Sequence, residues 1–293
     1  MMIRSGRMAA LTLLVLLTAA ATASAEAAKS LRVATLLPSV EDALRDLPGV
    51  EVVAGVRRSF TAPERTDVID LGSPHHPNVE RLATSRADLV IADALINGHL
   101  EEMLTRFGAE VMMIDTTSVE GIFAGLVAVG RRVGAEQALE QRVASAREGV
   151  NAQKVEAPLR VLALFGTPGK FQVITDQNWI GSLLDTLALE NLGAGVRGEQ
   201  RIPGFVAVSQ EHLSTLRPDL VLLVAHGDPR AIQGELQKQL AGNGPLGQLG
   251  KSASHGVHVL RPDLFMGNPG LALPAAAEAL AAYAATTPSV AAP

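Results

Sequence analysis

Apolar and polar positions along this chain follow one rhythm, interrupted once. From residue 31 onward, apolar runs of strand length (Leu31 to Leu36, Val50 to Val53, Leu89 to Ala92, Val111 to Ile114) alternate with amphipathic stretches at helical spacing (Glu41 to Leu47, Val79 to Ser85, Leu100 to Phe107). Continuous apolar runs separated by helices predict buried strands in a mainly parallel sheet of βαβ units. The rhythm stops at Ser118, where the pattern stays helical to Gln153, and Gly130 and Gly134 divide a shorter helix from a longer one. It restarts after Pro158 with strands at Arg160 to Phe165, Leu220 to Val224 and Val257 to Leu260. A further helix is predicted over Asn178 to Leu192, with Gly193 in the C-capping place. The Ala-rich tail from Gly270 reads as a helix to about Ala285. The pattern therefore predicts an α/β protein with one lobe over 31–133, a connecting helix over 134–157 and a second lobe over 158–293.

The two predicted lobes share a local repeat. Residues 78–91, NVERLATSRADLVI, align without gaps to residues 209–222, SQEHLSTLRPDLVL, and seven of the fourteen positions are identical. Each copy opens on an N-capping residue, Asn78 or Ser209, and places a glutamate, Glu80 or Glu211, at the second helical position. Each copy ends by feeding a buried strand.

Composition narrows the picture in three ways. Arg4 and Arg7, the apolar run Met8 to Thr22 and the triplet Ala23-Ser24-Ala25 have the layout of a cleavable secretory signal peptide over residues 1–25. Its removal takes the formal charge from −5 to about −7, and a mildly acidic exported protein is a poor match for nucleic acid. The chain has no cysteine, which excludes disulfides, thiolate metal sites, a cysteine nucleophile and a lipid-bearing N-terminal cysteine. With these features the sequence reads as a protein free in a periplasm. No G-x-S-x-G, P-loop or G-x-G-x-x-G after a strand is present, and the reading is not that of an enzyme.

The segments PNVERLATSRADLVIAD, TDQNWIGSLLDTLALENLGA and VSQEHLSTLRPDLVLLV, in that order, resemble the periplasmic substrate-binding proteins of the siderophore, haem and vitamin B12 ABC importers. The resemblance covers nearly all of the chain after residue 25. It implies two Rossmann-like, three-layer αβα lobes, joined by a single long helix, with a ligand cleft between them. It also implies a monomer that delivers its ligand to an inner-membrane permease with its ATPase. In that family a glutamate of each lobe docks on permease arginines, and the matching positions here are Glu80 and Glu211. A carboxylate at a helix start is favoured by the helix dipole and can stay exposed, which agrees with that placement.

Ligands of open α/β sheets sit at the carboxyl ends of the strands. The loops predicted there hold Arg57, Arg58, Phe60, His75, His76, Asp93, Phe171, Trp179, Phe205, His226 and Arg230, the candidates for lining a cleft. Aromatics gathered in such loops suit a flat or ring-bearing ligand. Arg57, Arg58, Lys170 and Arg230 would suit an anionic one. His75, His76 and His226 are the candidate metal ligands, with His99 and Asp93 as helpers, although adjacent histidines point apart and no paired histidine motif is present. His258 alternates within a strand and reads as structural. No intrinsic cofactor is predicted; the cargo would be an iron chelate, cobalamin or haem. Tyr283 is the only tyrosine, which ranks haem below the other chelates because many haem-binding relatives use a tyrosinate ligand. A receptor for a bare divalent metal ion, with ligands converging from both lobes, is the alternative.

Overall fold

The computed structural model describes residues 30–57, 67–106, 108–156, 159–168, 170–243 and 245–286. The proposed signal peptide lies outside them. No helix among the described residues is long and apolar enough to cross a membrane.

The first lobe is wound on β1 (Leu31–Thr35), α1 (Pro38–Leu44), β2 (Val50–Gly55), β3 (Ile69–Asp70), α2 (Val79–Thr84), β4 (Leu89–Asp93), α3 (Ala94–Asn97), α4 (Glu101–Thr105) and β5 (Glu110–Ile114). Its five strands are all parallel, in the order β3-β2-β1-β4-β5. Strand order reverses between β1 and β4, and that is where such a sheet opens a crevice at its carboxyl edge. Every residue of β4 is buried, because both faces of the sheet are covered. Val33, Leu89 and Ile91 face one apolar cluster, and Ala34, Val90 and Ala92 face another.

Two helices follow, α5 (Val119–Arg132) and α6 (Glu136–Asn151). The Ser118 hydroxyl accepts the Gly121 N–H at 2.9 Å and starts α5. Gly134, at φ +77°, makes the turn that ends it. Gly130 stays inside α5 and lets α6 approach, since a Cβ there would lie 2.9 Å from the Leu139 Cβ. The helical region is therefore a pair folded back on itself.

The second lobe contains β6 (Arg160–Thr167), β7 (Lys170–Ile174), α7 (Trp179–Thr186), β8 (Glu190–Asn191), β9 (Glu199–Ile202), β10 (Phe205–Ala207), α8 (Gln210–Thr215), β11 (Leu220–Ala225), α9 (Pro229–Ala241), α10 (Pro245–Ser252), β12 (Val257–Val259), α11 (Pro262–Phe265) and α12 (Leu273–Ala284). The main path runs β12-β11-β6-β7-β10-β9, with β8 paired to β6. Over the two sheets together the pairing is mainly parallel, as expected, but this second sheet is mixed. The β6/β7, β7/β10 and β10/β9 pairs are antiparallel. The reason is local: β6 and β7 are joined by a tight connection with no room for a crossover helix, and Gly204, at φ +86°, turns β9 into β10.

The helix predicted over 178–192 is also shorter. It begins at the Asn178 cap, whose side chain accepts the Ile180 N–H at 2.9 Å, and stops at Thr186. Ala188 takes the left-handed conformation at φ 61°, and the Leu189 N–H returns to the Leu184 carbonyl at 2.9 Å. Gly193 is not the cap; it lies where any Cβ would strike the Ile174 carbonyl. One apolar cluster passes from the first sheet (Val33, Leu89, Ile91) through α5, α6, α7 and α12 to the second sheet (Val161, Ala163, Leu220, Leu222). The lobes share this core.

The sequence repeat is realised in three dimensions. In the first copy α2 leads to β4, and in the second α8 leads to β11. The Asn78 side chain accepts the Arg81 N–H at 2.9 Å, and the Ser209 hydroxyl accepts the His212 N–H at 3.2 Å. Asp88 and Asp219 then do the same work. Each carboxylate accepts a strand N–H, from Arg32 at 3.0 Å and from Arg160 at 2.9 Å. Each backbone N–H returns a bond to the same arginine's carbonyl at 2.8 Å.

Candidate functional site

The histidine loop hangs from a closed neck. Gly72 and Pro77 form an isolated antiparallel bridge, the Asn78 N–H bonds the Leu71 carbonyl at 2.8 Å, and the Arg57 N–H bonds the Gly72 carbonyl at 2.9 Å. Below the neck, Asp70 accepts the Gly72 N–H at 2.8 Å and the Arg57 guanidinium at 2.6 Å. Burial alone would raise the Asp70 pKa; the Gly72 bond and the charges of Arg57 and Arg81 outweigh it and hold the carboxyl below its ordinary value. At the tip, the Ser73 hydroxyl accepts the His75 N–H at 3.2 Å. The Asn97 side chain donates to the Pro74 carbonyl at 2.7 Å.

His226 leaves the carboxyl end of β11, with its N–H on the Gly166 carbonyl at 2.8 Å. Its ring lies 5.6 Å from that of Phe165, which meets Phe205 edge-on at 5.1 Å. These three side chains form an aromatic wall on the second lobe. His75, from the first lobe, is shifted in its titration by His226 among other groups. Partial burial lowers its pKa below the usual histidine value, the charges that His226 and His76 can carry lower it further, and Asp93 pulls the other way. His75, His76 and His226 are all solvent-accessible.

The remaining candidates divide. Asp93 is corrected from a ligand-facing carboxylate to an internal cap. It is buried, one oxygen accepts the Leu95 and Ile96 N–H groups at 2.8 and 2.9 Å, and the other accepts the Thr116 hydroxyl. Trp179 is corrected too: it is buried and stacks on Phe265 at 5.8 Å, inside the shared core. Phe171 is half-buried and packs on the second lobe's own apolar cluster, whereas Phe205 stands with Phe165. Arg57 is committed to Asp70, and Lys170 and Arg230 are exposed. Arg58 and Phe60 lie outside the described residues. His99 is exposed on a short turn, and His258 bonds the His255 carbonyl at 2.8 Å and packs on Tyr283. Among the described residues no three His, Asp or Glu side chains gather where they could hold a metal ion.

Sequence reasoning missed Phe165 and Asn97. Phe165 reads as one more apolar strand residue, and only the parallel pairing of β6 with β11 places it beside His226. Asn97 sits in a short helix with no periodicity to mark it as buried. Glu80 and Glu211 are both exposed, each in the first turn of a six-residue helix, as the repeat requires.

The profile of the periplasmic binding protein family matches residues 33–246. The chain belongs to this family. The matched segment holds the first sheet from Val33 onward, the second sheet apart from β12, both repeat glutamates, His75 and His226. Among curated relatives, the high-affinity heme uptake system protein IsdE of Staphylococcus aureus is 26% identical over 205 residues, 68% of this chain and 67% of that one. Among solved structures, S. aureus IsdE complexed with heme superposes with a TM-score of 0.71 at 21% identity, covering 87% of this chain and 98% of that one. A periplasmic heme-binding protein from Pseudomonas aeruginosa gives 0.69 at 22% identity, over 88% and 94%. These superpositions establish the two-lobed α/β architecture of the binding-protein fold.

Proposed function

We propose that the protein is the substrate-binding component of an ABC importer, that its cargo is haem, and that His75 and His226 take the iron from opposite lobes. One observation carries the choice of cargo. A histidine from each lobe lies within electrostatic reach of the other, and no third ligand joins them among the described residues. A bare divalent ion needs three or four protein donors. Porphyrin iron arrives with four nitrogens and needs only one or two axial ligands. Phe165, with His226 on one side and Phe205 edge-on to it on the other, offers apolar ring contacts to a porphyrin, and the exposed Lys170 and Arg230 are available to its carboxylates. The names of IsdE and the P. aeruginosa protein support the same choice over a siderophore or cobalamin. Histidine thus takes the place of a tyrosinate, the one tyrosine, Tyr283, being packed on His258 in the tail helix.

In this reading residues 1–25 are a cleavable export signal, the mature protein is a periplasmic monomer, and the lobes divide near 133 and 158. Glu80 and Glu211 meet basic residues of the permease, one per lobe. The shared apolar core permits only modest closure. The test is a ligand panel on purified protein: ferric haem, a ferric siderophore, cobalamin, and zinc and manganese ions alone. Haem should bind at one equivalent with a shifted Soret band, and the bare ions should not bind. Saturable tight binding of zinc or of the siderophore, with haem excluded, would reject the reading.

A further inference from the structure

We infer that Asn97 is a positioning residue for His75, fixing the peptide plane from which the histidine reaches the cargo; this rests on the reading of His75 as an iron ligand. Asn97 is fully buried at the end of α3. Its amide oxygen accepts the Asp93 N–H at 3.1 Å, and its amide nitrogen donates to the Pro74 carbonyl at 2.7 Å. The first bond ties it to the end of β4. Asp93 is itself held by the N–H groups of α3 and by Thr116, just past β5. Asn97 therefore stands on two strands and a helix, and presents its donor to a loop twenty-three residues earlier.

The Pro74 carbonyl belongs to the peptide unit that ends in the His75 nitrogen. Both sides of that unit are bonded: the carbonyl to Asn97, the N–H to Ser73 at 3.2 Å. The neck at Gly72 and Pro77 closes the loop, while Asn97 ties its tip to the sheet. Outer groups that orient a metal-binding histidine change affinity by roughly 10- to 100-fold when removed. A buried amide with one end on the scaffold and the other on the ligand loop fits that role.

Asn97→Asp keeps the size and the acceptor but removes the amide donor, and the ligand-free melting point measures what burying a carboxylate there costs. The aspartate can still accept the Asp93 N–H, but it loses the donor to Pro74. Ferric haem is titrated into the parent, Asn97→Asp, His75→Ala and the double variant, with the axial-ligand spectrum and the melting point of the ligand-free protein recorded. The expected result is at least tenfold weaker haem binding by Asn97→Asp, a spectrum moved toward that of His75→Ala, and no further loss when the two are combined. Ser73→Ala, on the exposed side of the same peptide unit, should act in the same direction and serves if Asn97→Asp does not fold. Parental affinity and spectrum in Asn97→Asp, or an equal loss in the His75→Ala background, would overturn the inference. If His75→Ala itself binds haem as the parent does, the ligand reading has failed and the role of Asn97 fails with it, an outcome visible from that variant alone.

Discussion

In the first lobe the Arg32 N–H donates to Asp88 at 3.0 Å; in the second the Arg160 N–H donates to Asp219 at 2.9 Å. The Asp88 carbonyl accepts the Glu110 N–H at the start of β5, and the Asp219 carbonyl accepts the His255 N–H just before β12. On this side of the sheets the lobes are copies. At the carboxyl ends of the same strands they part. The first lobe keeps a parallel sheet and hangs His75 on a loop tied by a buried amide. The second turns β6 back as a hairpin beside β11, so that Phe165 meets both Phe205 and His226. A backbone unit can be used twice without change while the ends that meet a ligand differ, because the loops carry no register constraint.

The comparison can be broken most forcefully at the two glutamates. Glu80→Arg combined with Glu211→Arg should abolish transport through the cognate permease while haem affinity and folding stay near the parent's. Each single change should give a partial loss, because one docking point remains. Full transport by the double variant would reduce the repeat to two similar helix starts.

Next in size is the spine that the lobes share. Gly130→Ala would push a Cβ into Leu139 and the Ala135 carbonyl, and should destabilise the whole protein by about 1–3 kcal/mol in a denaturant titration. The apolar cluster that spans both lobes predicts one unfolding transition rather than two. Two separated transitions would contradict the continuous core.

The smallest effect is the sharpest test of equivalence. Asp88→Asn and Asp219→Asn each weaken a charge-assisted bond to a strand N–H and should cost about 1 kcal/mol each, by similar amounts. A large cost from one and none from the other would show that the two copies carry different loads.

The repeat and the capping residues were legible in the sequence because they are local: an N-cap, a carboxylate two positions later and an apolar strand lie within fourteen residues. The parallel half of the fold followed from the same signals. The antiparallel half did not, since the strand around Phe171, Lys170–Ile174, carries Lys and Gln among its apolar residues and reads as a loop, with no hint of strand direction. The histidines stood out by type and by loop context, but periodicity cannot say which of His75 and His76 faces the other lobe. Trp179 and Asp93 were misplaced for one reason. Each lies at or just past a strand end, where ligand-facing and core-facing positions are neighbours, and only packing against Phe265 or a hydroxyl from Thr116 separates them.

The central claim is that one cargo is held by a histidine from each lobe. The most direct measurement is the electronic and electron paramagnetic resonance spectrum of the ferric haem complex for the parent, His75→Ala, His226→Ala and the double variant, with affinities taken from the same titrations. The account predicts a low-spin spectrum with two nitrogen ligands in the parent, and at least tenfold weaker binding with altered spin state in each single variant. A parental spectrum and affinity in both single variants would contradict it.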